Sequence, residues 1–245
     1  MFDRNNNYFT DYEEVSASSY NPTKVQSAFS ALMRKVYTWM ALALTVTGLT
    51  ALYVAGNEQL AVSVTTGGTL WVLLIAELAL VFILSGAINK LSFMTAGLMF
   101  IAYSVLNGIT MSFIFLIYTK ASIASTFFIT AGTFAAMSVV GYVTKRDLSG
   151  MGKILFMALI GLIIASIVNI FLKSTPIYWL LSIVGVLIFV GLTAWDTQKI
   201  KQLFLAYGND VNPETQKLAL LGSLTLYLDF INLFLYLLRL LGDRK

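Results

Sequence analysis

Two aspartates inside apolar stretches are the residues of this sequence best suited to chemistry. Asp196 lies in GLTAWDTQKIK, at the end of a hydrophobic run, and Asp229 lies in the middle of LTLYLDFINLFLYLLRLLG. A charged side chain at the centre of a membrane helix costs about 2.5–3.5 kcal/mol or more, so it normally faces a partner, a polar interior or water. Two carboxylates in contact share a proton more readily than both ionise. If the fold brings them together, the pair is a proton-sensitive site.

Four further polar side chains could support this pair. Glu77 lies mid-stretch in LLIAELALVF, with no basic residue one or two turns away, so it needs a proton or a partner from another helix. Arg239 is a candidate partner, although an arginine near a helix end can instead extend to the membrane interface. Thr225 and Asn232 are spaced to share the helix face of Asp229, which predicts a polar stripe. The alternative reading of Asp229 is an interhelical hydrogen bond that locks the bundle.

The composition indicates an integral membrane protein. The chain has 245 residues, of which 58% are hydrophobic and only 11% charged, and its mean hydropathy is +0.80. Soluble domains contain about 25% charged residues. The sequence has no cysteine and no histidine, which excludes disulfides, thiol catalysis, Ser-His-Asp catalysis and imidazole zinc sites. We therefore predict neither an enzyme nor a resident cofactor, and we predict no nucleic-acid partner.

One enzyme class could still use two aspartates alone. An intramembrane aspartic protease would be expected to carry a glycine-rich segment beside one of them. The segments TAWDTQK and LYLDFIN contain no glycine, which argues against this class.

Seven apolar stretches are each close to the roughly 20 residues that a helix needs to cross a bilayer. They cover residues 37–56, 69–89, 93–117, 121–143, 154–172, 177–198 and 218–240. Lipid admits only helices or closed barrels, and runs of this length without alternation select helices. The predicted fold class is an all-α bundle of seven transmembrane helices over residues 31–245. Residues 1–30 are polar and are predicted to form a flexible cytoplasmic N-terminal tail.

The distribution of basic residues predicts the orientation. Eleven lysines and arginines flank the stretches on the side of the membrane where the N-terminus lies, and five lie on the other side. This bias predicts a cytoplasmic N-terminus. The C-terminus then faces outward, unless the last stretch is re-entrant. The sixth and seventh stretches run in opposite directions, so Asp196 and Asp229 could lie at comparable depth.

Four segments resemble the Bax inhibitor-1 family, the transmembrane Bax-inhibitor-motif proteins. LTLYLDFINLFLYLLRLLG at 224–242 resembles the closing helix of that family, and the aromatic-Asp-Thr-Gln-Lys-Ile run at 195–200 resembles its sixth helix. FSALMRKVYTWMALALTVTGLTA at 29–51 resembles its first helix, and NGITMSFIF at 107–115 its third. The similarity covers nearly everything after residue 25, and the chain has the form of a bacterial member, which implies the inner membrane.

The resemblance implies both a fold and a function. It implies six helices around a central seventh, and a pH-sensitive leak channel for calcium in which Asp196 and Asp229 form the proton-sharing pair. Calcium would be the permeant ion, held weakly by these two carboxylates. Glu77 and Arg239 match further family positions. Some members carry a basic latch residue late in the second helix, whereas Ile88 stands at that position here.

Two other functions stay open. The protein could be a non-conducting modulator that binds another membrane protein, such as a membrane protease or a death-regulating factor. It could also be a proton-coupled transporter. Calcium flux through the purified protein, a stable co-purifying partner, or concentrative uptake of a substrate would distinguish the three.

Overall fold

Among the residues that the structure describes, seven helices are long and apolar enough to cross a membrane, which confirms the predicted all-α architecture. The computed structural model describes residues 22–65, 68–207 and 211–245. The seven helices are α1 (Pro22–Ala55), α2 (Thr69–Ala87), α3 (Phe93–Met111), α4 (Lys120–Val143), α5 (Ser149–Leu172), α6 (Thr175–Tyr207) and α7 (Pro213–Leu241). Short helices at Glu58–Thr65 and Ile114–Ile117 lie in the connections after α1 and α3.

Helix α1 begins earlier than the predicted membrane domain. Residues 22–30, expected at the end of the polar tail, form its first turns. Phe29 is buried there and stacks on Tyr142 of α4, with ring centroids 5.8 Å apart. This apolar contact explains why the helix extends beyond the hydrophobic stretch. The first 21 residues of the predicted tail lie outside the described residues.

Helix α7 forms the core of the bundle. Of its most apolar window, 67% is buried, against 6% for the corresponding window of α5. It packs against α1, α3, α4 and α6, while α2 packs mainly on α3 and α5 mainly on α6. Its start is fixed by a capping box, in which the Asn212 side chain accepts from the Thr215 backbone N–H and the Thr215 side chain accepts from the Asn212 N–H.

Helix α7 also crosses the whole bundle. At one end, Lys35 in the first half of α1 donates a 2.8 Å hydrogen bond to Gln216 near the start of α7. At the other end, the backbone of Arg244 pairs with Tyr118 in the connection before α4. The last helix therefore runs the length of the bundle. We refer to these as the N-terminal and C-terminal ends of the bundle.

Two glycines let neighbouring helices approach α6 beside Asp196. A Cβ on Gly141 of α4 would collide with the carbonyl group of Ala194, and one on Gly152 of α5 would collide with the ring of Trp195. Small residues at such crossings allow close backbone packing in membranes. The backbone that carries Asp196 is thus held from two sides.

Candidate functional site: a buried pair of aspartates

The carboxyl groups of Asp196 and Asp229 lie within hydrogen-bonding contact of each other. Asp196 comes from α6 and Asp229 from α7, so the antiparallel packing brings the two together as the sequence led us to expect. Their exposed fractions are only 6% and 5%. A hydrogen bond between two carboxyl groups requires a donor, and only a protonated carboxyl can donate. The observed contact therefore fits a pair that holds one proton.

Few other groups stabilise charge at the pair. Oδ2 of Asp229 is buried without a hydrogen-bond partner among the described residues. The nearest cationic influence comes from Lys199, one turn beyond Asp196. Its ammonium group lies 5.0 Å from the ring centroid of Trp195. A proton is thus the simplest means of satisfying both carboxyl groups in this environment.

The two aspartates alone offer few ligands to a metal ion. No cluster of three or more acidic, histidine or cysteine side chains occurs among the described residues. Two carboxylates offer four oxygens, whereas calcium takes six to eight oxygen ligands. Backbone carbonyls and water would have to supply the rest, which is compatible only with weak binding.

Thr225 and Asn232 do not support Asp229 in the way the sequence predicted. The Thr225 hydroxyl donates to the Leu221 carbonyl at 3.1 Å, and the Asn232 amide donates to the Leu228 carbonyl at 2.8 Å. The Thr225 hydroxyl donor and one of the two Asn232 amide N–H donors are therefore used within α7. Short polar side chains in a helix commonly bond to the carbonyl four residues back, and helical spacing alone does not reveal this.

The expected pairing of Glu77 with Arg239 does not form. Glu77 of α2 is buried and accepts hydrogen bonds from the Thr110 hydroxyl and, at 3.4 Å, from the Asn107 amide of α3. The Arg239 guanidinium instead lies over the rings of Tyr178 and Tyr236, at 5.7 and 5.1 Å. Arg239 is in the last turn of α7, so its side chain stays at the C-terminal end.

Tyr227 links Glu77 to the central helix and was not recognised from the sequence. Its hydroxyl lies 3.1 Å from Asn107 Oδ1 and 2.7 Å from Thr47 Oγ1. The ring is fully buried. Through Asn107, this network joins α1, α2, α3 and α7 two residues from Asp229. One signal was available, because a tyrosine buried in an apolar helix usually needs a partner for its hydroxyl.

Comparison with known sequences identifies the family to which this chain belongs. The family described as "Inhibitor of apoptosis-promoting Bax1" matches residues 29–245. Inner membrane protein YbhL of Escherichia coli K12 is 48% identical over 221 residues, which cover 90% of this chain and 94% of YbhL. Uncharacterized protein RP147 of Rickettsia prowazekii is 42% identical over 235 residues, covering 96% and 99%. These matches, together with seven spanning helices and the two aspartate-bearing segments, establish that the chain is an integral membrane protein of the Bax inhibitor-1 family.

Proposed function

We propose that the protein is a pH-sensitive leak channel for calcium and related cations, gated by proton occupancy of Asp196 and Asp229. The observation that carries this proposal is the direct contact of two buried carboxyl groups whose mutual hydrogen bond needs a proton. The similarity to YbhL supports a location in a bacterial inner membrane. The excess of basic residues on the N-terminal side supports a cytoplasmic N-terminus.

The gate acts through the packing of α7. With the shared proton in place, the carboxyl groups join α6 to the most buried helix of the bundle. Loss of that proton leaves two negative charges in contact in a poorly solvated site, and like charges there repel strongly. Because opening is then linked to proton release, flux rises with pH. The described arrangement, with both carboxyl groups almost fully buried, corresponds to the closed state.

Calcium enters this scheme as a competitor of the proton. The deprotonated pair offers two negative charges to a divalent cation, but only four oxygens. Weak binding suits conduction, because an ion has to leave the site as well as enter it. The permeant ion and the proton therefore act on the same two carboxylates.

Calcium influx into proteoliposomes, measured from about pH 6 to about pH 8, tests the proposal. We expect wild-type flux to rise with pH. In the Asp229→Asn variant, the amide N–H can donate to Asp196 without any titratable proton. The calcium flux of this variant should therefore lose most of its dependence on pH. An unchanged flux and an unchanged pH profile in Asp229→Asn would show that the pair is not the sensor.

Asp147→Asn is the matched control. Asp147 lies between α4 and α5 and accepts a 2.9 Å hydrogen bond from the Ser149 backbone N–H. Hydrogen bonding to Ser149 lowers the pKa of Asp147 below its ordinary value. Any stability that the ionised Asp147 carboxylate contributes is present above its ordinary pKa. It is lost only as the pH falls through the lowered pKa of Asp147, below about pH 4. This variant should therefore keep the wild-type flux profile.

The same assay separates the other two functions. A wild-type protein that is folded but conducts no calcium would contradict the channel. The aspartate pair would then be a structural link, as expected of a non-conducting modulator of another membrane protein. Accumulation of a solute against its gradient, driven by a proton gradient, would instead indicate a proton-coupled transporter.

A further inference from the structure

A cavity of about 750 Å³ opens at the C-terminal end of the bundle, far from the aspartate pair. It lies between the end of α5, the start of α6 and the end of α7. Three cationic side chains from three different segments line it, namely Lys173, Arg239 and Arg244, and none of the lining residues is acidic. The charged side chains that line the cavity are therefore all positive.

Two of these cations share one aromatic ring. The guanidinium groups of Arg239 and Arg244 lie 5.7 and 5.8 Å from the ring centroid of Tyr178. Arg244 also donates a 3.3 Å hydrogen bond to the Tyr178 hydroxyl. A tyrosine ring attracts both cations, so two positive charges are held at the wall of the cavity beside Tyr178. The arrangement thus favours a negatively charged ligand.

The remaining walls suit a phosphate group with an apolar tail. Ser174 and Thr175 bring the start of α6 into the cavity, where the helix dipole adds positive potential. Ile170, Trp179 and Leu181 add apolar side chains to the lining, and Trp179 is 46% exposed. Tryptophan is typical of the interface between lipid headgroups and acyl chains.

We propose that this cavity binds the phosphate group of an anionic phospholipid in the leaflet at the C-terminal end. The arginines and Lys173 hold the phosphate oxygens by charge-assisted hydrogen bonds, and the acyl chains extend past Trp179 into the bilayer. A soluble phosphate would satisfy the same cations, so the source of the phosphate has to be distinguished by experiment.

The test compares lipid binding to the full-length protein after delipidation in neutral detergent. Native mass spectrometry counts bound phosphatidylglycerol and phosphatidylcholine, and thermal unfolding is measured with each lipid and with inorganic phosphate. We expect phosphatidylglycerol to bind in preference to phosphatidylcholine and to stabilise the protein. The R239Q/R244Q variant should bind phosphatidylglycerol roughly tenfold more weakly or worse.

Lys120→Gln is the matched control, since Lys120 is exposed at the same end of the bundle but does not line the cavity. It should bind phosphatidylglycerol like the wild type.

If the double variant is unstable, Lys173→Asn removes a charge at a residue with φ of 50°, a conformation that asparagine tolerates. Its phosphatidylglycerol binding should also fall. Stabilisation by inorganic phosphate alone, lost in these variants, would support the phosphate site but assign it to a soluble anion. Equal binding of both lipids, or phosphatidylglycerol binding that the variants leave intact, would overturn the proposal.

Discussion

The bundle buries two carboxyl sites that are satisfied in opposite ways. Glu77 accepts hydrogen bonds from two neutral side chains, Thr110 and Asn107, and is joined through Asn107 to Tyr227. Asp229 faces another carboxyl group, that of Asp196, and its Oδ2 receives no hydrogen bond from the described residues. Exposure does not distinguish the sites, since all three acids are less than a tenth exposed.

The difference lies in what happens when a proton leaves. At Glu77 the hydroxyl and amide donors remain in place and can stabilise the carboxylate. At the aspartate pair the proposed shared proton is itself a link between α6 and α7, so its loss would convert an attraction into a repulsion. We infer that Glu77 holds helices together, whereas the aspartate pair switches. The variants below test this division.

The largest effect is expected where the backbone of α6 is held beside the pair. Gly141→Leu places a side chain against the Ala194 carbonyl, which cannot move without shifting α6. We expect a loss of more than about 3 kcal/mol in stability, measured by thermal unfolding in detergent, because overpacking against backbone is poorly relieved. Gly132→Leu on the same helix is the control, since nothing lies within 4 Å of an added Cβ there. Equal losses of stability in both variants would show that the close approach of Gly141 to Ala194 does not determine the stability of the bundle.

Glu77→Ala should have an intermediate effect. It leaves the buried donors of Thr110 and Asn107 without their acceptor, at a cost of about 1–3 kcal/mol in stability. Glu77→Gln retains an acceptor oxygen and should cost less than about 1 kcal/mol. It should also leave the pH profile of calcium flux unchanged. A profile flattened by Glu77→Gln as much as by Asp229→Asn would erase the proposed division between the two sites.

Tyr227→Phe should have the smallest effect of the three. It removes the hydroxyl that reaches Asn107 and Thr47 but keeps the ring, so the expected loss of stability is about 1 kcal/mol. Thermal unfolding again provides the measurement. Tyr53→Phe is the control, because Tyr53 is largely exposed on α1. If Tyr227→Phe is as stable as Tyr53→Phe, the hydroxyl network does not contribute to holding α7.

The sequence predicted the helices and the aspartate contact well, because both follow from hydropathy and connectivity. Apolar runs of about 20 residues mark the spans, and consecutive spans that each cross the membrane run in opposite directions. Asp196 and Asp229 were therefore expected on helices of opposite direction, where they could lie at comparable depth. The depth of each aspartate in its apolar run made a contact between them plausible.

The partners of the other polar residues could not be derived in the same way. Thr225 and Asn232 had the correct spacing to help Asp229, but each donates to its own helix. Arg239 had the correct charge to pair with Glu77, but aromatic rings hold it at the C-terminal end. Which neighbour a side chain selects depends on helix rotation and rotamer, and neither is specified by periodicity alone.

The most direct test of the central claim is to detect the shared proton. Infrared difference spectroscopy of the protein in lipid, titrated from about pH 6 to about pH 8, reports the carbonyl stretch of a protonated carboxyl group. We predict a band that disappears as pH rises, is absent in Asp229→Asn and persists in Glu77→Gln. A band that Asp229→Asn leaves unchanged, or the absence of any protonated carboxyl in the wild type, would contradict a proton-sharing pair.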